Sequence, residues 1–356
     1  MNRPSQRPEL KFAILDPFSD QGIGLIRSLR RVPGVTVRPV LDGGRGVFIE
    51  AAARFLLGNT LTTKEALNLD FSVVPTTHRT TTMALTMYES HCARLGLSRT
   101  MLEVGDKREI LALAESVGVP VPAQYTRDEL SSGLVAFPVF YKEQHEQGGG
   151  RRGVARKVAD IPTNGDDLLI EEFIETQGTY GLGFFARDGV ICSSVAHFER
   201  LSSPNTGGSA VVLERFSDPR LEELTAKLLS KISYSGWGLA EFKRSAKDDD
   251  YVLMEINGKL WASSEYSWLA SPDLLQTCFG LPPLTARPFD RPGLFLHRVN
   301  IAAIFALMFS GIGARPRVFI YATALAIGLG GVVRIGVAKL GQVWRRVTPY
   351  DNDCKF

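Results

Sequence analysis

Cysteine is scarce in this chain, and the four present, Cys92, Cys192, Cys278 and Cys354, form no CxxC pair and no Cys/His cluster. That spacing excludes structural zinc and a disulfide framework and fits a reducing compartment. Residues 1–11 are polar, with Arg and Pro, and lack the apolar core of roughly 7–15 residues that a signal peptide needs, so synthesis is expected to end in the cytosol. No arginine–aromatic interleaving and no RRM, KH or zinc-finger pattern is present, which removes nucleic acid as an expected partner. Ser-His-Asp, Cys-His and metal-hydrolase spacings are missing as well, and no internal repeat is visible. Net charge is small at +3, yet it is unevenly placed: residues 291–356 carry +7 and residues 1–290 carry −4.

What is present suits a globular protein of two or three domains, with 356 residues, 44% of them hydrophobic and 22% charged. Residues 11–15 read as a buried strand, 16–24 as a loop, 25–31 as a short helix and 35–40 as a second strand, a β-α-β opening. With the strand signal at 71–75, residues 1–106 are expected to form a small, doubly wound parallel-sheet domain. The loop Ser19-Asp20-Gln21-Gly22-Ile23-Gly24 is read as a tight strand-to-helix turn, because the full dinucleotide fingerprint is absent. Residues 76–82 read as a helix-capping loop. An amphipathic helix follows over 106–116 and stops at Gly118, and strands are read at 137–142, 168–174, 182–186 and 190–198, with a helix at 221–232.

The densest chemistry lies in two alternating runs. Trp237-Gly238-Leu239-Ala240-Glu241-Phe242-Lys243 and Leu253-Met254-Glu255-Ile256-Asn257-Gly258-Lys259 flank a polar, acidic segment that suits a hairpin turn. Antiparallel pairing puts Glu241 beside Glu255, and the two-residue period of a strand puts Asn257 on the same face. Facing carboxylates repel unless a cation neutralises them, and an all-oxygen set suits Mg²⁺ or Mn²⁺ completed by phosphates. The plainer alternative is an exposed hairpin ending in an Asn-Gly turn.

The order of parts decides between them. A lysine ends the strand at Lys142; a glycine-rich loop follows at Glu146-Gln147-Gly148-Gly149-Gly150-Arg151-Arg152-Gly153; then come the acid pair Glu171-Glu172 and the carboxylate hairpin. This order resembles the ATP-grasp superfamily, which includes D-alanine:D-alanine ligase, biotin carboxylase and carbamoyl phosphate synthetase. Within it, His197-Phe198-Glu199-Arg200-Leu201, Pro204-Asn205-Thr206-Gly207-Gly208-Ser209 and Glu255-Ile256-Asn257-Gly258-Lys259-Leu260-Trp261-Ala262-Ser263 are similar to motifs of the bacterial carboxylate-amine ligase branch. The middle motif departs from that branch, since Ser209 follows Gly208 directly.

The resemblance implies a two-lobed ATP-grasp domain with antiparallel sheets over residues 107–290, after the parallel-sheet domain, and a set of roles. Lys107 and Lys142 would contact ATP phosphates, and Gly148, Gly149 and Gly150 would fold over them through backbone N–H groups, although a hairpin tip explains the same glycines. Glu171 would accept from the adenine amino group, with Glu172, Phe173 and Ile174 along the ring edge. Where relatives place an acid for the ribose this chain has Gly178-Thr179-Tyr180-Gly181, leaving Glu175 as a substitute. Glu241, Glu255 and Asn257 would hold one or two Mg²⁺ or Mn²⁺ ions. Arg200 and Lys259 would face the transferred phosphate or the acceptor carboxylate; His197 is read equally as functional or as a packed strand residue. The implied activity is ATP-dependent joining of a carboxylate to an amine through an acyl phosphate, the substrates being small molecules or lipid-linked precursors. The rivals are a kinase of the same fold and a nucleotide-binding regulator of a membrane assembly.

Beyond residue 290, residues 299–314 and 318–333 are two uncharged, apolar runs of 16 residues each around Arg315-Pro316-Arg317. Each is shorter than the ~18–20 residues a bilayer span needs. With basic residues following, a helical hairpin at the inner membrane surface is expected; a helical pair packed in the protein or a dimer is the alternative.

Overall fold

The structure is a computed structural model that describes residues 9–42, 58–145, 150–163, 167–203, 209–284 and 295–296. The chain opens with β1 (Leu10–Ile14), α1 (Asp20–Leu29), β2 (Val35–Pro39), α2 (Thr63–Asn68) and β3 (Ser72–Val74), followed by α3 (His78–Met87), α4 (Glu89–Ala93) and α5 (Thr100–Glu103). Strands β2, β1 and β3 form a parallel sheet in that order, as the opening pattern predicts. Phe12, Ala13 and Ile14 of the central strand are all buried, the mark of a parallel strand covered on both faces.

Two helix starts differ from the sequence reading. Residues 20–24, expected as loop, are the first turn of α1, because Ser19 caps the helix by accepting from the Gly22 N–H at 3.0 Å. Gly22 and Gly24 are small for packing reasons: an added Cβ would lie 2.6 Å from the Asp16 carbonyl oxygen and 2.9 Å from Glu265 Cβ, respectively. Residues 78–82, expected in a capping loop, are likewise helical, with Thr77 as the cap of α3.

Helix α6 (Lys107–Ser116) begins at Asp106, whose carboxylate accepts from the Arg108 and Glu109 N–H groups. A four-stranded sheet follows, β4 (Gln124–Tyr125), β5 (Val139–Glu143), β6 (Arg152–Ala155) and β7 (Leu168–Glu172), in the order β4-β7-β5-β6, with α7 (Arg127–Ser131) beside it. The large sheet is built from β8 (Thr176–Arg187), β9 (Val190–Ser203), β10 (Ser209–Phe216), β11 (Gly236–Ser245), β12 (Tyr251–Asn257) and β13 (Phe295–Leu296), ordered β12-β11-β8-β9-β10-β13; α8 (Pro219–Lys231) lies between β10 and β11 in the chain, and α9 (Ser264–Ala270) and α10 (Pro272–Phe279) follow β12. Every pairing in these two sheets is antiparallel.

Among the described residues, packing gives one large core and two small ones, the smallest being Ala210, Leu213 and Tyr266. The large core runs without a break from Phe12 and Leu25 through Val104 and Leu111 to Trp237, Phe242 and Phe279, so the parallel sheet, α6 and the large sheet share one interior. The four-stranded sheet has its own small core of Leu130, Val139, Ala155, Ile161, Leu168 and Ile170. Among the described residues no helix is long and apolar enough to cross a membrane. Of the segment expected as a helical tail, Phe295 and Leu296 are instead a short strand on the edge of β10, where Val212 and Leu213 receive them. The two apolar runs lie outside the described residues.

Candidate functional site: the cleft between the two antiparallel sheets

In the hairpin β11–β12, Glu241 stands directly opposite Glu255. Asn257 donates from Nδ2 to both, at 3.3 Å to Glu241 Oε1 and 2.9 Å to Glu255 Oε1, so the two carboxylates and the amide converge as their spacing predicts. Burial pushes the Glu241 carboxyl well above its ordinary range; Glu255 and Glu199 push it further, against the opposing pull of Lys259 and Arg152. A site that resists holding its own negative charge fits a divalent cation with oxygen preference. Among the described residues no group of three or more His, Cys, Asp or Glu side chains is placed to hold a metal; the set here is two carboxylates and one amide. Such a partial set suits Mg²⁺, which commonly takes one or two carboxylates and completes its shell with waters and phosphates.

The register of β11–β12 slips between Glu241 and Phe242, leaving Met254 as an extra residue. Lys142, on β5 of the other sheet, reaches across and donates to the Met254 carbonyl at 2.8 Å. The same ammonium lies 2.7 Å from Glu171 Oε1, and Glu171 is fully buried. Burial raises the Glu171 carboxyl above its usual range while Lys142 pulls it down. Lys107, at the first turn of α6, is also buried; its ammonium donates to the Glu143 carbonyl at 3.3 Å and stands 3.7 Å from Glu255 Oε2. Both expected phosphate lysines therefore border the carboxylate cluster, one from each core.

The other expected residues divide. Gly150 is half-buried at the approach to β6, while Gly148 and Gly149 lie outside the described residues. Glu172 is half-buried, with Oε2 3.5 Å from the Ala123 N–H, Ile174 is buried, and Phe173 is half-buried with its ring under the Lys243 ammonium. Lys259 is buried and acts electrostatically on Glu241 and on His78, which comes from the N-terminal end of α3. His197 is buried with Nδ1 unbonded, against the edge of Tyr266, and burial holds its imidazole down to about 4. Its ring crosses Gly181, where an added Cβ would lie 2.4 Å from His197 Cε1. Arg200 is not gathered into the cluster. It falls where the β9–β10 register slips, is 48% exposed, and has Nε 3.8 Å from Glu214 Oε2. A bulge turns a side chain off the regular alternation, and a motif match cannot show that.

Three residues that sequence reasoning did not assign border the site. Lys243, two along β11 from Glu241, is held by burial below its usual range, and its ammonium lies over the rings of Phe140 and Phe173. Glu199 acts on both Glu241 and Lys243, and Arg152 of β6 acts on Glu241. Period-two alternation from Glu241 to Lys243 and from His197 to Glu199 was the signal available for the first two.

No protein-family model and no curated protein matches the chain. Solved structures do. The biotin carboxylase of Campylobacter jejuni, solved as a β-γ-ATP complex, matches at 14% identity with a TM-score of 0.60, over 78% of this chain and 72% of that one. The carboxyaminoimidazole ribonucleotide synthase of Aspergillus clavatus, solved with ATP, matches at 15% identity and a TM-score of 0.55 over 78% of each chain. The L-amino acid ligase of Bacillus licheniformis matches at 14% identity and a TM-score of 0.52, over 78% of this chain and 76% of that one. With a parallel sheet ahead of two antiparallel sheets, the chain has the ATP-grasp fold.

Proposed function

We propose that this protein is an ATP-dependent ligase that joins a carboxylate to an amine. The observation that carries the reading is the convergence of Lys107, Lys142, Glu241, Glu255 and Asn257 in one cleft between the two antiparallel sheets. Two buried cations beside two carboxylates suit a polyphosphate brought in with a divalent cation. Glu241, Glu255 and Asn257 would hold Mg²⁺ or Mn²⁺, which supplies neutralising charge at the β- and γ-phosphates.

Lys107 and Lys142 bind the phosphate oxygens and keep the terminal phosphoryl group aimed at the acceptor. The γ-phosphoryl group passes to a carboxylate oxygen, giving ADP and an acyl phosphate. An amine then attacks the carbonyl carbon, and phosphate leaves. Lys259, buried beside Glu241 and close to His78, is the cation of this chain best placed for the acceptor carboxylate. His197 stays neutral at working pH and shapes the site floor through its contact with Gly181. Glu171 accepts from the adenine amino group at the far end of the cleft.

The domain assignment that goes with this reading is a parallel-sheet domain over 1–106 and the ATP-grasp domain over 107–290, with the basic segment 291–356 at an anionic membrane surface, where lipid-linked acceptors would be found. The +7 charge and the two apolar runs support that location. The deciding experiment offers pools of carboxylates and amines to the full chain with Mg-ATP, follows acceptor-dependent ADP release and identifies the product by mass. Release of ADP with a condensed amide supports the reading. A phosphorylated product without condensation would replace it with a kinase, and ATP binding without any acceptor-dependent turnover would replace it with a regulator.

A further inference from the structure

His78 stands near enough to Lys259 to feel its charge, and the reading above gives it no task. It opens α3, directly after the cap residue Thr77. The sheet order β2-β1-β3 sends the chain from β1 to one side and then back to the other, which opens a crevice at the carboxyl ends of β1 and β3, where α1 and α3 begin. In open α/β sheets ligands settle at such a point. Two bonds tie the crevice to the end of the large sheet. Ser19 Oγ, at the head of α1, is 3.1 Å from Thr76 Oγ1, just ahead of α3. Two residues along, Gln21 Nε2 donates to the Leu260 carbonyl at 3.4 Å. Lys259, which the reading above gives to the acceptor carboxylate, is the residue before Leu260, so the heads of both helices meet the segment that carries it.

His78 is half-buried, open enough to meet a ligand. Its Nε2 lies 3.4 Å from Thr82 Oγ1 one turn along α3, which orients the ring, and its Nδ1 has no partner among the described residues. Burial first, and then the positive charge of Lys259, hold the imidazole below its ordinary value, so at pH 7 it is neutral and able to take a proton. An alkylamine arrives protonated at that pH, and an ammonium has no lone pair with which to attack. We propose that His78 is the general base of the ligation step, taking a proton from the incoming ammonium at Nδ1. This rests on the ligase reading above. The ammonium passes one proton to Nδ1, and the freed lone pair forms the C–N bond at the acyl-phosphate carbonyl carbon. As the tetrahedral intermediate collapses, the bond from that carbon to the phosphate oxygen breaks, and phosphate leaves with the second proton from nitrogen. The imidazolium, disfavoured by Lys259, then gives its proton to water. A basic alkylamine is the class of nucleophile that needs such a base.

The test gives the full chain Mg-ATP and the carboxylate pool and compares two nucleophiles: the alkylamine pool, protonated at neutral pH, and hydroxylamine, which is neutral there and needs no base. With the unaltered protein, amide formation at excess amine should be level from pH 7 to 8.5. A rise of about tenfold per pH unit, as for an amine that must shed its proton in water, overturns the proposal without reliance on any variant. His78→Ala should lower amide formation about 100-fold relative to hydroxamate formation, the low end of what a positioned base contributes. An amide-to-hydroxamate ratio equal to that of the unaltered protein overturns the proposal as well, whatever the loss in total rate. If the unaltered protein forms neither product, the ligase reading itself fails, which is a different result from an unchanged ratio.

Discussion

Replacing Lys142 with alanine should damage the fold as well as the chemistry, and the structure sets the size of the effect. Its ammonium is shared between Glu171 at 2.7 Å and the Met254 carbonyl at 2.8 Å. The two ion-pair side chains are only 8% and 0% exposed, so solvent does not screen the loss. Removing one member of a buried pair leaves an uncompensated charge and costs about 3–5 kcal/mol, against less than about 0.5 kcal/mol for an ordinary surface position. Proton uptake by Glu171 limits the damage. Burial already raises that carboxyl, and Lys142 is the largest influence lowering it, so the variant's folded state holds a proton that the unfolded chain releases. With the folded pKa above the unfolded one, stability falls as pH rises between the two values, by about 1.4 kcal/mol per unit. Urea unfolding of the full chain at pH 5.5, 7 and 8 therefore should show Lys142→Ala regaining stability toward pH 5.5, relative to the unaltered protein. Lys142→Ala combined with Glu171→Gln should lose about 1–3 kcal/mol less than the two single losses added together. A loss under about 1 kcal/mol with no pH dependence would refute the buried pair and place Lys142 in solvent.

Three further outcomes are expected. Glu255→Gln should abolish ADP formation with the melting temperature within a few degrees, because it removes a charge the metal needs and also relieves the repulsion with Glu241; normal turnover would sink the metal assignment. His197, held down to about 4 by burial, should show no ring titration by NMR between pH 5 and 8. The unfolded chain takes up a proton that the folded ring refuses, so this residue's contribution to stability is present above about 6.5 and declines as pH falls toward 4, whereas a resonance titrating near 6.5 would put the ring in water. Ending the chain before Val299 should convert a membrane-associated protein into one that stays in the supernatant and still binds ATP; full-length protein that is itself in the supernatant without detergent counts against the membrane surface.

The legible parts of the site were those fixed by local period. Glu241, Glu255 and Asn257 come together because a short hairpin sets which residues face each other and a two-residue period sets the face. The pairing of Lys142 with Glu171 was not legible: it depends on the β5–β7 register, in which Lys142 opposes Leu169 and Phe140 opposes Glu171, so the ion pair is diagonal. The Met254 bulge, which supplies the carbonyl for Lys142, leaves no mark in composition. At the start of α1 the glycines misled. Gly22 and Gly24 read as loop residues, but their role is to let Asp16 and Glu265 approach the helix closely. Lys243 stayed hidden for a different reason: a lysine between alternating strand residues looks like ordinary solvent-facing polarity until the opposite sheet supplies two aromatic rings beneath it.

The four-stranded sheet's own small core gives the cleft a mechanical character. Glu241, Glu255, Asn257 and Lys107 ride on the large body, while Lys142, Glu171 and Phe140 ride on the small four-stranded jaw, which has a core of its own and shares only Leu169 with the larger one. Among the described residues the bonds that bridge the two bodies include Lys142 to the Met254 carbonyl, Lys107 to the Glu143 carbonyl and Gln144 to Asp106. A jaw that swings out has to break the Lys142 bond, and the lysine it frees would then be available to a phosphate oxygen. A phosphate oxygen and the Met254 carbonyl thus compete for one ammonium group, so a phosphate that takes it would replace a contact between the two bodies.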